Sequence, residues 1–229
     1  MDRAGRMSEA RVPAPPLTPA GFVRATCRLA AVPQVAEIRL HLAGDVLDLW
    51  QRTEDERGTG QPPPFWAFAW PGGQALARYV LDHPDLVAGR RVLDLGSGSG
   101  LVAIAAAMAG AAAVLASEID VLAAAAIGLN ARANAVPVPT VIGDVLNGDG
   151  EGAQVVLAGD VWYSRPLAER VLGLIERARA RGASVLVGDI GRAFLPRDRF
   201  RVVEARDIPV IADLEDASLK RTMVWTPAW

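Results

Sequence analysis

Gly96, Gly98 and Gly100 alternate along Asp94-Leu-Gly-Ser-Gly-Ser-Gly100, and this spacing is the first sign of chemistry in the sequence. Glycine removes the Cβ atom where a backbone must turn tightly and come close to a ligand. An apolar helix is expected to follow, and its free N–H groups and positive dipole end would face back toward the loop. A nucleotide-like ligand is the reading this favours. The spacing is not the G-x-G-x-x-G of a dinucleotide site; it is Asp-x-Gly-x-Gly-x-Gly. Acids recur where later strands should end: Glu118 in Ser-Glu-Ile-Asp120, Asp144 after Gly143, Asp160 in Gly-Asp-Val-Trp-Tyr163 and Asp189 in Gly-Asp-Ile-Gly-Arg192. His41 and His83 are isolated from one another and Cys27 is the single cysteine, so no metal site and no intramolecular disulfide is expected.

These residues need a scaffold, and the chain has the composition for one. Its 229 residues suit one α/β domain, with 51% hydrophobic and 22% charged residues. A net charge of −2 gives no bulk attraction to nucleic acid. The uncharged run Leu95–Ser117 is broken by glycines and rich in alanine, so it reads as loop, helix and strand rather than a membrane span. Residues 1–17 read as a disordered tail without an apolar signal core, and either Met1 or Met7 could start the chain. Lys220 is the one lysine, a codon bias that fits a GC-rich bacterial source.

Residues 18–64 read as a small helical extension that packs on the core. A helix capped by Thr18 should run to about Leu29, Glu37–Leu42 is open between strand and helix approach, and Asp45–Arg57 is an amphipathic helix. Residues 65–229 then form the main domain. Phe65-Trp-Ala-Phe-Ala-Trp-Pro-Gly-Gly-Gln74 leads into a helix over 75–81, with Trp66 and Trp70 either core or the wall of a pocket. Strands at 92–95, 113–117, 139–142, 154–159 and 183–188 alternate with helices at 100–109, 121–134 and 165–180, and strands near 200–206 and 220–226 close the chain. That alternation predicts a Rossmann-like, mostly parallel sheet of seven strands with helices on both faces and an antiparallel C-terminal strand. Ligands of such sheets lie beyond the carboxyl ends of the strands.

The loop resembles the first motif of class I S-adenosylmethionine (SAM) dependent methyltransferases. The resemblance implies a cofactor site made of Asp94, Gly96, Ser97, Gly98 and Gly100, with Trp70, Gly72 and Gly159 beside it. Glu118 would accept hydrogen bonds from the ribose hydroxyls, Ile119 would lie against adenine, and Asp120 is better explained as a helix cap. Asp144 is open between a bond to the adenine amino group and a turn. In this fold Asp160 and Tyr163 would face the transferable methyl group as catalytic candidates. Trp66, Trp162, Asp189 and Arg192 are the substrate-side candidates, with Trp162 open between packing and pocket wall. An amine acceptor explains Asp160: a lysine of pKa about 10.4 is neutral in only about one molecule in 10³ at pH 7. Aromatic walls lower that pKa by desolvation, and a carboxylate orients the amine and stabilises charge arriving on nitrogen.

Four segments carry a closer resemblance: Phe65–Leu76, Val92–Gly98, Gly159–Tyr163 and Gly188–Arg192. With these the chain is similar to the seven-β-strand protein-lysine methyltransferases that act on the β subunit of electron transfer flavoprotein, and to their bacterial relatives. Glu118 stands where that family usually has Asp, and Ile190 where it has proline. The resemblance implies SAM as cofactor, a protein partner such as that β subunit, no nucleic acid or membrane partner, and a monomeric cytoplasmic enzyme. The rival readings are a small-molecule (nicotinamide-like) or ribosomal-protein N-methyltransferase and an inactive SAM-binding module. Glycine spacing disfavours a dehydrogenase.

Overall fold

A computed structural model describes residues 17–209 and 219–229, so the tail expected before Leu17 lies outside the described residues except for Leu17 itself. The chain enters through α1 (Pro19–Thr26), where the Thr18 hydroxyl accepts the Gly21 N–H at 3.1 Å and Pro19 fills the first helical position. The helix stops before Leu29. Arg28–Val32 forms β1, paired antiparallel with β2 (Val35–Leu42), Arg28 opposite Leu42. Leu29-Ala-Ala31 has helical propensity, but pairing with β2 and burial of Val32 override it. The extension is therefore helix, hairpin and helix rather than wholly helical, ending in α2 (Val46–Arg57) under an Asp45 cap.

The main sheet begins after α3 (Pro71–Asp82). Its strands are β3 (Arg91–Leu95), β4 (Ala113–Glu118), β5 (Thr140–Ile142), β6 (Val155–Gly159), β7 (Ser184–Asp189), β8 (Phe200–Pro209) and β9 (Leu219–Pro227). They lie in the order β5-β4-β3-β6-β7-β9-β8. The first five are parallel, and β9 runs antiparallel to both β7 and β8. The connecting helices are α4 (Leu101–Met108), α5 (Val121–Ala133) and α6 (Arg165–Ala180). The seven strands and their direction match the sequence expectation. The chain runs outward from β3 through β4 to β5 and returns on the other side as β6. This reversal opens a crevice beyond the carboxyl ends of β3 and β6, where a ligand can enter.

Two buried clusters cover the sheet. On one side α4 is apolar all round, with Leu101 to Ala106 buried, because its alanines let it sit close against α3 and β3. Val32, Val35, Ile38 and Leu40 of the hairpin join that same cluster, so the N-terminal extension shares the core of the sheet. On the other side α6 packs Val171, Leu174 and Ile175 with Trp162 and Phe200. Among the described residues no helix is long and apolar enough to cross a membrane.

Candidate functional site

The loop after β3 depends on torsions that side chains resist. Gly96, Gly98 and Gly100 have φ of 62°, 54° and 84°, all left-handed. Asp94 holds this turn from below. It is 1% exposed, and its Oδ2 accepts from Ser97 Oγ at 2.5 Å and from the Ala103 N–H at 3.0 Å, tying the loop to the start of α4. Burial pushes its carboxyl up to about 7, with the Ser97 and Ala103 bonds opposing that shift. Asp94 thus shapes the loop from inside the protein.

Beyond β4, Glu118 Oε2 accepts the Gly98 N–H at 2.9 Å and Oε1 accepts the Ile119 N–H at 2.8 Å. One acid therefore fixes both the glycine loop and the turn into α5, and its oxygens keep lone pairs for further donors. Ile119 is 74% exposed, an apolar side chain in the turn between β4 and α5. Asp120 caps α5 through the Leu122 N–H at 2.8 Å, as expected. At the end of β5, Asp144 accepts the Leu146 N–H and pairs with Arg170 at 2.6 Å, and that guanidinium holds its carboxyl below the usual range. The turn reading of Asp144 is therefore present in the structure.

Beyond β6 the backbone itself is unusual. Asp160 has φ of 56°, one of three described non-glycine residues with positive φ. Its Oδ2 accepts the Gly73 N–H at 2.7 Å in the first turn of α3, and its Oδ1 takes Arg192 Nη1 at 2.6 Å. Arg192 also reaches Asp189 Oδ2 at 3.2 Å, while Asp189 Oδ1 accepts the Gly191 and Arg192 N–H groups, each at 2.6 Å. Burial pushes the Asp160 carboxyl up to about 6, with Arg192 pulling the other way. Burial opposes the charge on Arg192, but its two carboxylate partners still hold it above the usual guanidinium range. Phe68, Trp70, Gly73, Asp94, the loop 96–99, Leu101, Val102, Gly159 and Asp160 line one pocket between the glycine loop and α3. At its rim Phe65 stands edge-on to Trp70 at 5.6 Å and tilts against the exposed ring of Tyr163 at 6.0 Å. Burial, with the Glu118 carboxylate adding to it, raises the Tyr163 hydroxyl pKa.

This arrangement matches known proteins. Residues 75–181 fit the family model described as ribosomal protein L11 methyltransferase (PrmA). The electron transfer flavoprotein β subunit lysine methyltransferase of Xenopus laevis is 40% identical over 177 residues, covering 76% of this chain and 71% of that protein. The chain belongs to that lysine methyltransferase family. The zebrafish protein of the same name is 42% identical over 159 residues, 69% of this chain, and the matched part spans only 61% of its length. The magnesium protoporphyrin IX methyltransferase of Synechocystis with bound SAM shares the fold, with a TM-score of 0.52 at 16% identity, over 81% of this chain and 92% of that one.

For a member of this family, several expected residues turn out to act at one remove. Trp162 is 0% exposed and packs edge-on against Phe200 in the core, so it is not a pocket wall. Trp66, 2% exposed, packs with α1, α2 and α5 and lies behind Gly98, in the core rather than on the pocket surface. Hydrophobicity alone does not separate core from pocket for either ring. Asp189 is 0% exposed and aims Arg192 instead of reaching the rim. Gly72 serves a helix crossing: a Cβ there would lie 2.3 Å from Gly188 O and 2.6 Å from Asp160 Oδ2. Gly188 and Asn130 were missed. Gly188, with Gly73, completes the crossing of α3 over β6 and β7. Asn130 sits in an alanine-rich helix with no motif to mark it.

Proposed function

We propose that the protein is a SAM-dependent N-methyltransferase that methylates lysine side chains of a protein, with the β subunit of electron transfer flavoprotein as the favoured substrate. One observation carries this reading. Asp160, a buried carboxylate kept next to a cation, borders the same pocket as the glycine loop. The residues suit the cofactor chemically: Gly96, Ser97, Gly98 and Gly100 offer a backbone with little side-chain bulk, and Glu118 offers acceptors for ribose hydroxyls. Ile119 supplies an apolar face for adenine, Asp144 an acceptor for its amino group, and Trp70 and Gly159 the adjoining wall.

When bound, SAM supplies an electrophilic methyl group on a sulfonium. The chain's own contribution is placement and charge. Phe65, Trp70 and Tyr163 surround the entrance with rings that strip water from an amine and favour its neutral form. The Asp160 carboxylate, aimed by the Gly73 N–H and Arg192, would accept a hydrogen bond from the amine and stabilise the positive charge that passes to nitrogen as a C–N bond replaces the methyl–sulfur bond and a neutral thioether leaves. Tritiated SAM incubated with enzyme and a lysate of a bacterium carrying electron transfer flavoprotein tests the reading. Label should appear in a protein band at the mass of the β subunit. Label confined to small molecules would instead support the nicotinamide-type reaction.

A further inference from the structure

The N-terminal hairpin carries none of the chemistry above, yet a side chain of α5 joins it directly to the glycine loop. Asn130 of α5 and Asn134, the C-cap of that helix, stand one turn apart and face the edge of β2. Asn134 acts as a substitute strand, its Oδ1 taking the Arg39 N–H at 2.9 Å and its Nδ2 donating to the Arg39 carbonyl at 2.7 Å. Asn130 does something further. It is 0% exposed; its Oδ1 accepts the His41 N–H at 2.8 Å, and its Nδ2 donates at 2.8 Å to the carbonyl of Ser99, between Gly98 and Gly100. These two backbone partners fix the orientation of the amide, because a carbonyl needs a donor and an N–H an acceptor. The ring Nδ1 of His41 adds a second contact to the same oxygen at 2.8 Å. Gly100 meanwhile rests on Ile127 of the same helix, where a Cβ would lie 3.3 Å from two of its side-chain carbons.

We propose that Asn130 is a positioning residue for the glycine loop, whose bond to the Ser99 carbonyl, anchored on the hairpin backbone at His41, sets the loop's shape and hence the affinity for SAM. The proposal rests on the SAM reading of that loop. Buried amides with both ends engaged hold a segment in one arrangement, and removing one end leaves an orphaned polar group that the loop must move to satisfy. A loop whose shape is held before binding loses less freedom when it closes on a ligand.

Two substitutions separate loop positioning from hairpin docking. Asn130→Asp keeps the acceptor for His41 but sets a carboxylate oxygen against Ser99 O. Asn134→Ala weakens docking and leaves the Ser99 bond intact. Titration calorimetry with SAM and with S-adenosylhomocysteine, alongside thermal melts, reads both. Asn130→Asp should weaken binding of either ligand about tenfold or more and raise KM for SAM in step, with kcat at saturating SAM within about twofold. Asn134→Ala should lower the melting temperature while changing the affinities less than about twofold. Wild-type affinity in folded Asn130→Asp, or equal losses of affinity in the two variants, would overturn the proposal. Failure of the wild-type protein to bind either ligand is a separate outcome, which removes the SAM reading and the proposal with it.

Discussion

The two halves of the crevice are built by different means. The half at the ends of β3 and β4 is shaped by backbone: three left-handed glycines, a buried Asp94 beneath them and Glu118 gathering N–H groups above. The half at the ends of β6 and β7 is shaped by side-chain charge. Asp160, Asp189 and Arg192 form one buried network, and glycines appear only where α3 must cross the strands. A cofactor shared by many enzymes can be held by a generic backbone cradle. An acceptor site needs a specific charge in a specific place, and on the proposed reading the strained Asp160, with φ of 56°, supplies it.

Glycine substitutions should break the comparison most sharply. Gly72→Ala places a Cβ onto backbone, 2.3 Å from Gly188 O, and should cost about 3 kcal/mol or more, visible as loss of soluble, cooperatively melting protein. Gly96→Ala meets nothing closer than Val161 Cγ1 at 3.3 Å, so its cost is the left-handed torsion, about 1–2 kcal/mol in urea denaturation. If both cost the same, the distinction between a steric crossing and a torsional loop fails.

Arg192→Met tests the charge network. Without the guanidinium, Asp160 keeps its burial and loses its compensation, so its carboxyl should rise further above about 6. The acid limb of the kcat/KM profile for methyl transfer should then move to higher pH, costing about tenfold at pH 6.5, with Arg192→Lys recovering part of it. An unmoved limb would show that Arg192 serves packing alone.

Asp94 gives the matching test on the cofactor side. Its carboxyl is raised from its unfolded value near 3.8 to about 7, so the folded state holds the proton more tightly. The stability this contributes is complete below about pH 4 and is lost as pH rises through 7. Denaturation of Asp94→Asn at pH 5 and pH 8 should therefore show a larger penalty, relative to the parent protein, at pH 5. A penalty independent of pH would contradict the burial account of Asp94. The smallest effect belongs to Ile119→Ser: an exposed side chain should leave the melting temperature unchanged and weaken SAM binding by about threefold.

Much of the cofactor half was legible because torsional demands leave a mark in residue type. Alternating glycines, the Asp120 cap and the strand–helix alternation all appear in the structure where the sequence puts them. The acceptor half was legible only in part. Asp160, Asp189 and Arg192 could each be named, but nothing in their spacing shows that one guanidinium joins two carboxylates 29 residues apart in sequence. Tryptophans failed for the opposite reason: their size suits a core and a pocket equally, and only burial placed Trp66 and Trp162 inside. The β1–β2 hairpin was hidden because Leu29-Ala-Ala31 favours helix until a partner strand is present.

Asp160 carries the central claim, and mass spectrometry of purified electron transfer flavoprotein β subunit, incubated with SAM and either parent enzyme or Asp160→Asn, tests it most directly. The account predicts methyl additions of about 14 Da on lysine with the parent enzyme, and a rate at least about 100-fold lower with Asp160→Asn despite SAM affinity within a few-fold. Equal methylation by the two enzymes would contradict the role given to Asp160, and an unmodified β subunit with the parent enzyme would contradict the substrate.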